Sequence, residues 1–395
     1  MRLFSLILVL LTACTEADRE YDSHLHWFKG NLHTHSFWSD GDEFPEMIMD
    51  WYKSHGYNFL SLSDHNILAR GEYWLDINDS LRNVVFNKYL DRYGPEWVEY
   101  EQVSDTTRVR LKTFQEYQPL FQEPGEFLVL QAEEISDSFE GKPLHLNATN
   151  LRDRIEPQGG NSISDVLQRN IDAVLQQREV SGEPMIVHIN HPNFHFAITV
   201  EDMIALQGEQ FFEVFNGHPM VYNLGDSVHM DTETMWDQIN IAYIRNGKPP
   251  LYGLATDDSH NYHTTGKQWS NSGRGWIWVQ ADTLLPSALI ESMEKGQFYA
   301  STGVTLNKLE FKDNLLSLEI KTGPGNYKIQ FIGCDMNDSA TSILKEVDGS
   351  SAYFELSPEL LFVRAKVIRD QVPENPIENI SYQMAWTQPV SYTEY

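Results

Sequence analysis

Cysteine is nearly absent: Cys14 and Cys334 are the two thiols of this 395-residue chain. A thiolate zinc cluster is excluded, so any metal must be held by imidazole and carboxylate. Cations are scarce too, with 29 Lys and Arg against 57 Asp and Glu, a formal charge of -28. Such a chain repels a phosphate backbone at long range, and nucleic acid is not an expected partner. A small anionic ester stays open as a substrate where bound metal reverses the local field. Signatures of other hydrolytic and nucleotide-binding sites are missing. There is no Gly-x-Ser-x-Gly elbow, no His-Glu-x-x-His pair and no Gly-rich phosphate loop ending in Lys-Ser/Thr. No repeat or low-complexity tract occurs.

The first residues do not read as fold. Met1-Arg2 is a short positive start, and Leu3 to Leu11 is apolar but too short to span as a stable helix. Leu11-Thr12-Ala13-Cys14 then resembles a bacterial lipoprotein cleavage box, with Cys14 as the lipidated residue. That reading implies an exported protein, periplasmic or anchored at the outer membrane or cell surface, touching membrane only through its lipid. It leaves Cys334 without an internal disulfide partner. Residues 1–14 are thus expected to be signal and lipobox, and 15–23 a polar tether.

From there apolar strand patterns alternate with helical ones, which predicts a mostly parallel sheet or barrel. Pro45 to His55 has helical spacing, started by Pro45 and stopped by Gly56. A polar, aromatic segment at 69–125 reads as a helical insertion able to cover a site. After Gly303 alternating segments separated by Gly, Pro, Asn and Asp predict a small antiparallel β domain over 304–395.

Polar residues recur where the apolar strands end. His33 and His35 are two apart, which puts both imidazoles on one face of a strand. Asp40 follows in a Ser-Asp-Gly turn. Asp64-His65, Glu133-Glu134, His145, His191 and Asp257-Asp258-Ser259-His260 follow later strands. Any one of these has a bland structural explanation, and His188, mid-strand, reads as structural. Together they point to one rim.

Asn31-Leu32-His33-Thr34-His35-Ser36, Ser39-Asp40-Gly41, Ser63-Asp64-His65-Asn66, Glu134-Ile135-Ser136, His191-Pro192-Asn193 and Asp258-Ser259-His260 resemble, in order, the motifs of the polymerase and histidinol phosphatase (PHP) superfamily. Gly296 to Gly303 and Ala385 to Pro389 look like its carbaryl-hydrolase-like branch. The resemblance implies a distorted (β/α)7 barrel over 24–303 with two or three divalent metal ions. It would place His33, His35, Glu134 and Asp258 on one metal. Glu134, His145 and His191 would hold a second, and Asp40, His65 and His260 a third. Many members have histidine where this chain has Asp40. The resemblance favours Glu134 over Glu133 and Asp258 over Asp257, and leaves Asp64 to orient a ligand or shuttle a proton. Mixed imidazole and carboxylate suits zinc, manganese or iron.

The implied activity is hydrolysis of phosphate mono- or diesters by metal-activated water. Carbamate, amide or carboxylic ester hydrolysis on the same residues is the enzymatic alternative, and a non-catalytic metal- or glycan-binding lipoprotein the other. Arg274 reads either as a phosphate clamp or as an exposed loop arginine, with Asn193, Asn216 and His218 as loop residues placed to meet substrate.

Overall fold

Short apolar runs between turn-forming clusters become the strands of this chain. The computed structural model describes residues 25–377 and 380–393. Cys14 and the tether lie outside them. The Pro45–Ser54 helix buries Ile48, Met49 and Tyr52 on one face, with Pro45 in its first turn. The His26–Asn31 strand lies inside a 13-stranded sheet. It pairs parallel with Phe59–Leu62 and antiparallel with Trp276–Ala281. Gly30 is required there, because a Cβ would sit 2.1 Å from the Phe59 ring.

Beyond Phe59–Leu62 the order runs through Leu128–Phe139, Lys142–Thr149, Ile186–Ile189, Phe211–Asn216 and Tyr252–Thr256. The pairings mix parallel and antiparallel. Leu128–Phe139 and Lys142–Thr149 form one long hairpin. Its turn residues, Glu140 and Gly141, both have positive φ, 50° and 79°, as the tightest hairpin turns require. This differs from the expected short strands: Glu134 and His145 lie inside hairpin strands, not at strand ends.

The Tyr252–Thr256 end of this sheet curls back onto the segment that follows His26–Asn31, the strand at the sheet's middle. Thr34 bridges Ser259 in parallel, His35 N–H donates to Ser259 O at 2.9 Å, and Asp258 N–H donates to His33 O at 2.9 Å. Strand twist accumulating across the sheet accounts for such curling. Gln388 sits at the seam, its amide bonded to both the N–H and the C=O of Gly253 at 2.7 and 2.9 Å.

The 69–125 segment is not purely helical. It holds the Ser80–Tyr93 and Phe114–Phe121 helices and a three-stranded antiparallel sheet of Trp74–Ile77, Tyr100–Val103 and Thr106–Arg110. Its β-branched and aromatic residues prefer the pleated surface. In the C-terminal part, Leu306–Lys312, Leu315–Ile320 and Ser351–Glu355 form their own sheet. Tyr327–Asp335, Ser342–Asp348, Leu360–Arg369 and Gln383–Thr387 instead continue the large sheet, through Gln383–Thr387 paired with Phe298–Ser301. The protein is mixed α/β, with one large mixed sheet and two small antiparallel ones among the described residues. Among the described residues no helix is long and apolar enough to cross a membrane.

Candidate metal centre

The backbone stays extended beyond Asn31. Thr34 turns its hydroxyl away to donate to Ser61 O at 2.9 Å, so its neighbours His33 and His35 share the opposite face. The chain then reverses through Ser36–Gly41. Asp64 holds that turn: it accepts from Ser36 N–H, Ser36 Oγ and Ser39 Oγ at 2.7, 2.8 and 2.7 Å. Asp64 therefore shapes the loop that carries Asp40. The insertion buttresses the same loop. Phe37, Trp38 and Phe44 pack with its Leu75, Val85, Phe86 and Tyr89, and Trp38 Nε1 donates to Lys112 O at 3.1 Å.

Glu134 is the hub of the arrangement. Its Oε1 lies 3.0 Å from His145 Nδ1, 3.3 Å from His191 Nε2 and 3.4 Å from His33 Nε2. Its Oε2 lies 2.9 Å from His65 Nδ1 and 3.4 Å from His35 Nε2. Asp258 Oδ1 is 3.2 Å from both His33 Nε2 and His35 Nε2. Asp40 meets His260 at 3.3 Å, His65 at 3.5 Å and His35 at 3.6 Å. Three groups result: His33, His191 and Asp258; His65, Glu134 and His145; and His35, Asp40, His65 and His260, the last two sharing His65. His33, His35 and Glu134 form a further overlapping group.

The donors fit divalent metal. His33 Nε2, His35 Nε2, His145 Nδ1 and Glu134 Oε2 are buried without a hydrogen-bond partner. Buried polar atoms are rarely left so, and a lone pair facing a carboxylate needs a cation between them. Ligands bonded at 2.0–2.1 Å to one tetrahedral ion lie about 3.3 Å apart, which is the range of most separations here. The charges carry the same signal. Burial opposes charge on His33 and His65, yet nearby carboxylates outweigh it. Asp258, Glu213 and Glu134 raise His33 well above the usual range, and Glu134 and Asp40 take His65 to about 11. Burial would raise Glu134 and Asp258, but the surrounding imidazoles hold both far below the carboxylate range. His35 falls to about 3 through burial and its neighbours His260 and His65.

The ambiguous pairs separate clearly in space. Glu133 points away and accepts Ile155 N–H at 2.6 Å. Asp257 accepts the backbone N–H groups of Gly273, Arg274 and Gly275 and the Tyr52 hydroxyl.

Glu213, which motif reading passes over, is wholly buried behind the cluster. It accepts His33 Nδ1–H at 2.7 Å, Thr256 Oγ at 2.8 Å, His191 N–H at 2.8 Å and the Asn216 amide at 2.9 Å. His188 Nε2 lies 3.3 Å from it, fully buried. The signal for Glu213 was one carboxylate inside the apolar run Phe211-Phe212-Glu213-Val214-Phe215. Asn190, also missed, donates to Glu134 Oε1 at 2.8 Å.

The expected substrate residues separate. Arg274 is not free to clamp a phosphate. It is buried, and its guanidinium donates to Asn375 O, Gly217 O, Trp269 O, Gly266 O and Asn375 Oδ1. All five donors are spent on loops, which gives Arg274 the role of a strap. Asn193 donates to Tyr222 O and Met230 O at 2.9 and 3.0 Å, tying two loops. Asn216 donates to Asp258 Oδ2 at 3.1 Å and so positions a ligand. His218 remains at the mouth, its ring 5.5 Å from that of His260.

No family model and no curated protein matches the sequence. Among solved structures the chain is similar to a two-domain protein from Bacteroides vulgatus containing a predicted PHP-like metal-dependent phosphoesterase, at 13% identity and TM-score 0.41, over 93% of this chain and 96% of that one. It is also similar to a protein from Bifidobacterium adolescentis named as a metal-dependent phosphoesterase, at 13% identity and TM-score 0.31, over 62% and 90%. A third is an amidohydrolase from Chromobacterium violaceum with bound sulfate and no metal, at 13% identity and TM-score 0.30, over 61% and 90%. Assignment of chemistry rests on the side chains themselves.

Proposed function

We propose that this chain is a metal-dependent phosphoesterase that hydrolyses phosphate mono- or diesters, on a barrel of the PHP type, in its carbaryl-hydrolase-like branch. The proposal extends to export as a lipoprotein anchored through Cys14. One observation carries the catalytic reading: Glu134 is shared by imidazoles from five different positions, several with unpartnered buried atoms facing it. His33, His191 and Asp258 would hold one ion and Glu134 and His145 another. Asp40, with His35, His65 and His260, would complete a third position. When bound, such ions supply Lewis acidity and lower the pKa of water towards neutrality.

The chain's own residues supply the order around them. Asn190 fixes the Glu134 carboxylate, Asn216 fixes Asp258, and Glu213 fixes His33 with Nε2 towards the cluster. Asp64 sets the turn of Asp40, the most exposed member, at 57%. His218 Nδ1 accepts Met220 N–H at 3.2 Å. Burial and the nearby histidines lower His218 to about 4, against the pull of Asp258. The ring is thus neutral at pH 7 with its proton on Nε2, and donates to a substrate oxygen at the mouth.

The soluble form starting after Cys14 tests this, assayed on 4-nitrophenyl phosphate, bis(4-nitrophenyl) phosphate and 4-nitrophenyl acetate with zinc or manganese. Phosphate ester turnover that His33→Ala abolishes is expected. Turnover of the acetate alone would assign carboxylic ester hydrolysis instead, and bound metal with no turnover a binding role.

A further inference from the structure

The two sides of the cluster differ. Asp40 faces the imidazoles of His35, His65 and His260. Beside His145 and His191 the wall is one aromatic ring. Phe194 is half-buried, with its ring 5.0 Å from that of His191, 6.2 Å from that of His145 and 6.0 Å from that of His218.

This ring is held in place. Phe194 N–H donates to His191 O at 2.8 Å, and Phe194 bridges Val221 in the neighbouring loop. His195 and Phe196 directly after it adopt left-handed φ of 53° and 49°, a conformation that non-glycine residues seldom take and that neighbouring contacts must sustain. Rim arginines are engaged elsewhere. Arg274 is saturated by loop carbonyls, and Arg154 donates to Asn66 O at 2.7 Å and pairs with Glu156.

We propose that Phe194 is the wall against which an apolar substituent of the substrate packs, so that the site selects esters bearing an aryl group over alkyl equivalents. The inference rests on the phosphoesterase reading above and names its substrate class. An aromatic face held beside the reacting group rewards a flat apolar substituent and gives nothing to a methyl.

Two diesters with the same leaving group separate this from leaving-group effects: bis(4-nitrophenyl) phosphate and methyl 4-nitrophenyl phosphate. With rates normalised to the uncatalysed reactions, the wild type should favour the aryl diester at least about tenfold in kcat/KM. Phe194→Ala should bring that ratio near one, mainly through KM, and Phe194→Leu should keep part of it. Calorimetric titration with phenylphosphonate and methylphosphonate gives a second readout, independent of turnover and usable if Phe194→Ala fails to fold. The aryl compound should bind the wild type at least about tenfold tighter, a preference that Phe194→Leu reduces. Turnover of both diesters without discrimination overturns the wall and leaves the phosphoesterase reading standing. Diesters and 4-nitrophenyl phosphate all inert, with Phe194-dependent binding of phenylphosphonate, overturn the phosphoesterase reading and leave the wall. No turnover of these diesters or of 4-nitrophenyl phosphate, with no aryl preference in binding, overturns both.

Discussion

Glu213→Gln is a near-isosteric change that removes one charge and one acceptor oxygen. Four donors converge on that carboxylate: two on Oε1 (His33 Nδ1 and Thr256 Oγ) and two on Oε2 (His191 N and the Asn216 amide). Whichever oxygen becomes an NH2 group faces two donors. If the NH2 takes the Oε2 position, the His191 N–H and the Asn216 amide are left buried and unpaired. Each unsatisfied buried donor costs about 1–3 kcal/mol, so the expected loss of stability is about 2–6 kcal/mol. His33 Nδ1–H keeps its acceptor in that rotamer but loses the carboxylate charge behind it, which should also weaken metal affinity, by up to the roughly 10- to 100-fold usual on removing such a partner. Chemical denaturation of chelator-treated protein reads the first effect, and zinc content after dialysis against graded chelator reads the second. A variant within 0.5 kcal/mol of wild type (about the spread for changes that disturb nothing) that retains zinc equally would refute the account of Glu213.

Arg274→Ala tests the strap. It should destabilise the protein by about 2–4 kcal/mol, because several loop carbonyls lose their donor together; a rise in KM specific to phosphate esters with stability intact would restore the clamp. Acid titration tests the buried ion group that joins the Thr232–Arg245 helix to the Leu360–Arg369 strand, where Arg364 pairs with Glu233 at 2.9 Å and Asp237 at 2.7 Å. Burial would raise Glu233, but Arg364 and Lys366 outweigh it and take Glu233 down to about 2. An acid with a depressed folded pKa stabilises above its unfolded value near 4.5 and loses that contribution as pH falls towards 2. About 2–3 kcal/mol should vanish across that window. Glu233→Gln should flatten the slope there, and an unchanged slope in chemical denaturation would contradict the assignment.

Local sequence carried several of the site's donors because they sit in short motifs whose neighbours repeat their chemistry, as His33 with His35 and Asp258 with His260; His145 and His191 stand alone and were legible only by their place after apolar runs. It also carried the strands, since apolar runs bounded by turn residues must bury. Where the sequence offers two adjacent carboxylates it does not choose, because which one faces the cluster depends on strand pairing. Glu134 pairs across the hairpin with Asn147 and faces the cluster, while Glu133 faces Ile155. Glu213 and Arg274 went unread or misread for a related reason. A carboxylate in an apolar strand and an arginine in a glycine loop look the same in sequence whether they serve structure or substrate. Their partners come from distant segments: His33, His191 and Asn216 for Glu213, and Gly217, Gly266, Trp269 and Asn375 for Arg274. Residue type and spacing therefore sufficed to nominate the imidazoles and carboxylates that the structure brings together. The tertiary structure alone decided which buried charges hold those ligands in place, because that depends on which donors and acceptors the curled sheet leaves with no other partner.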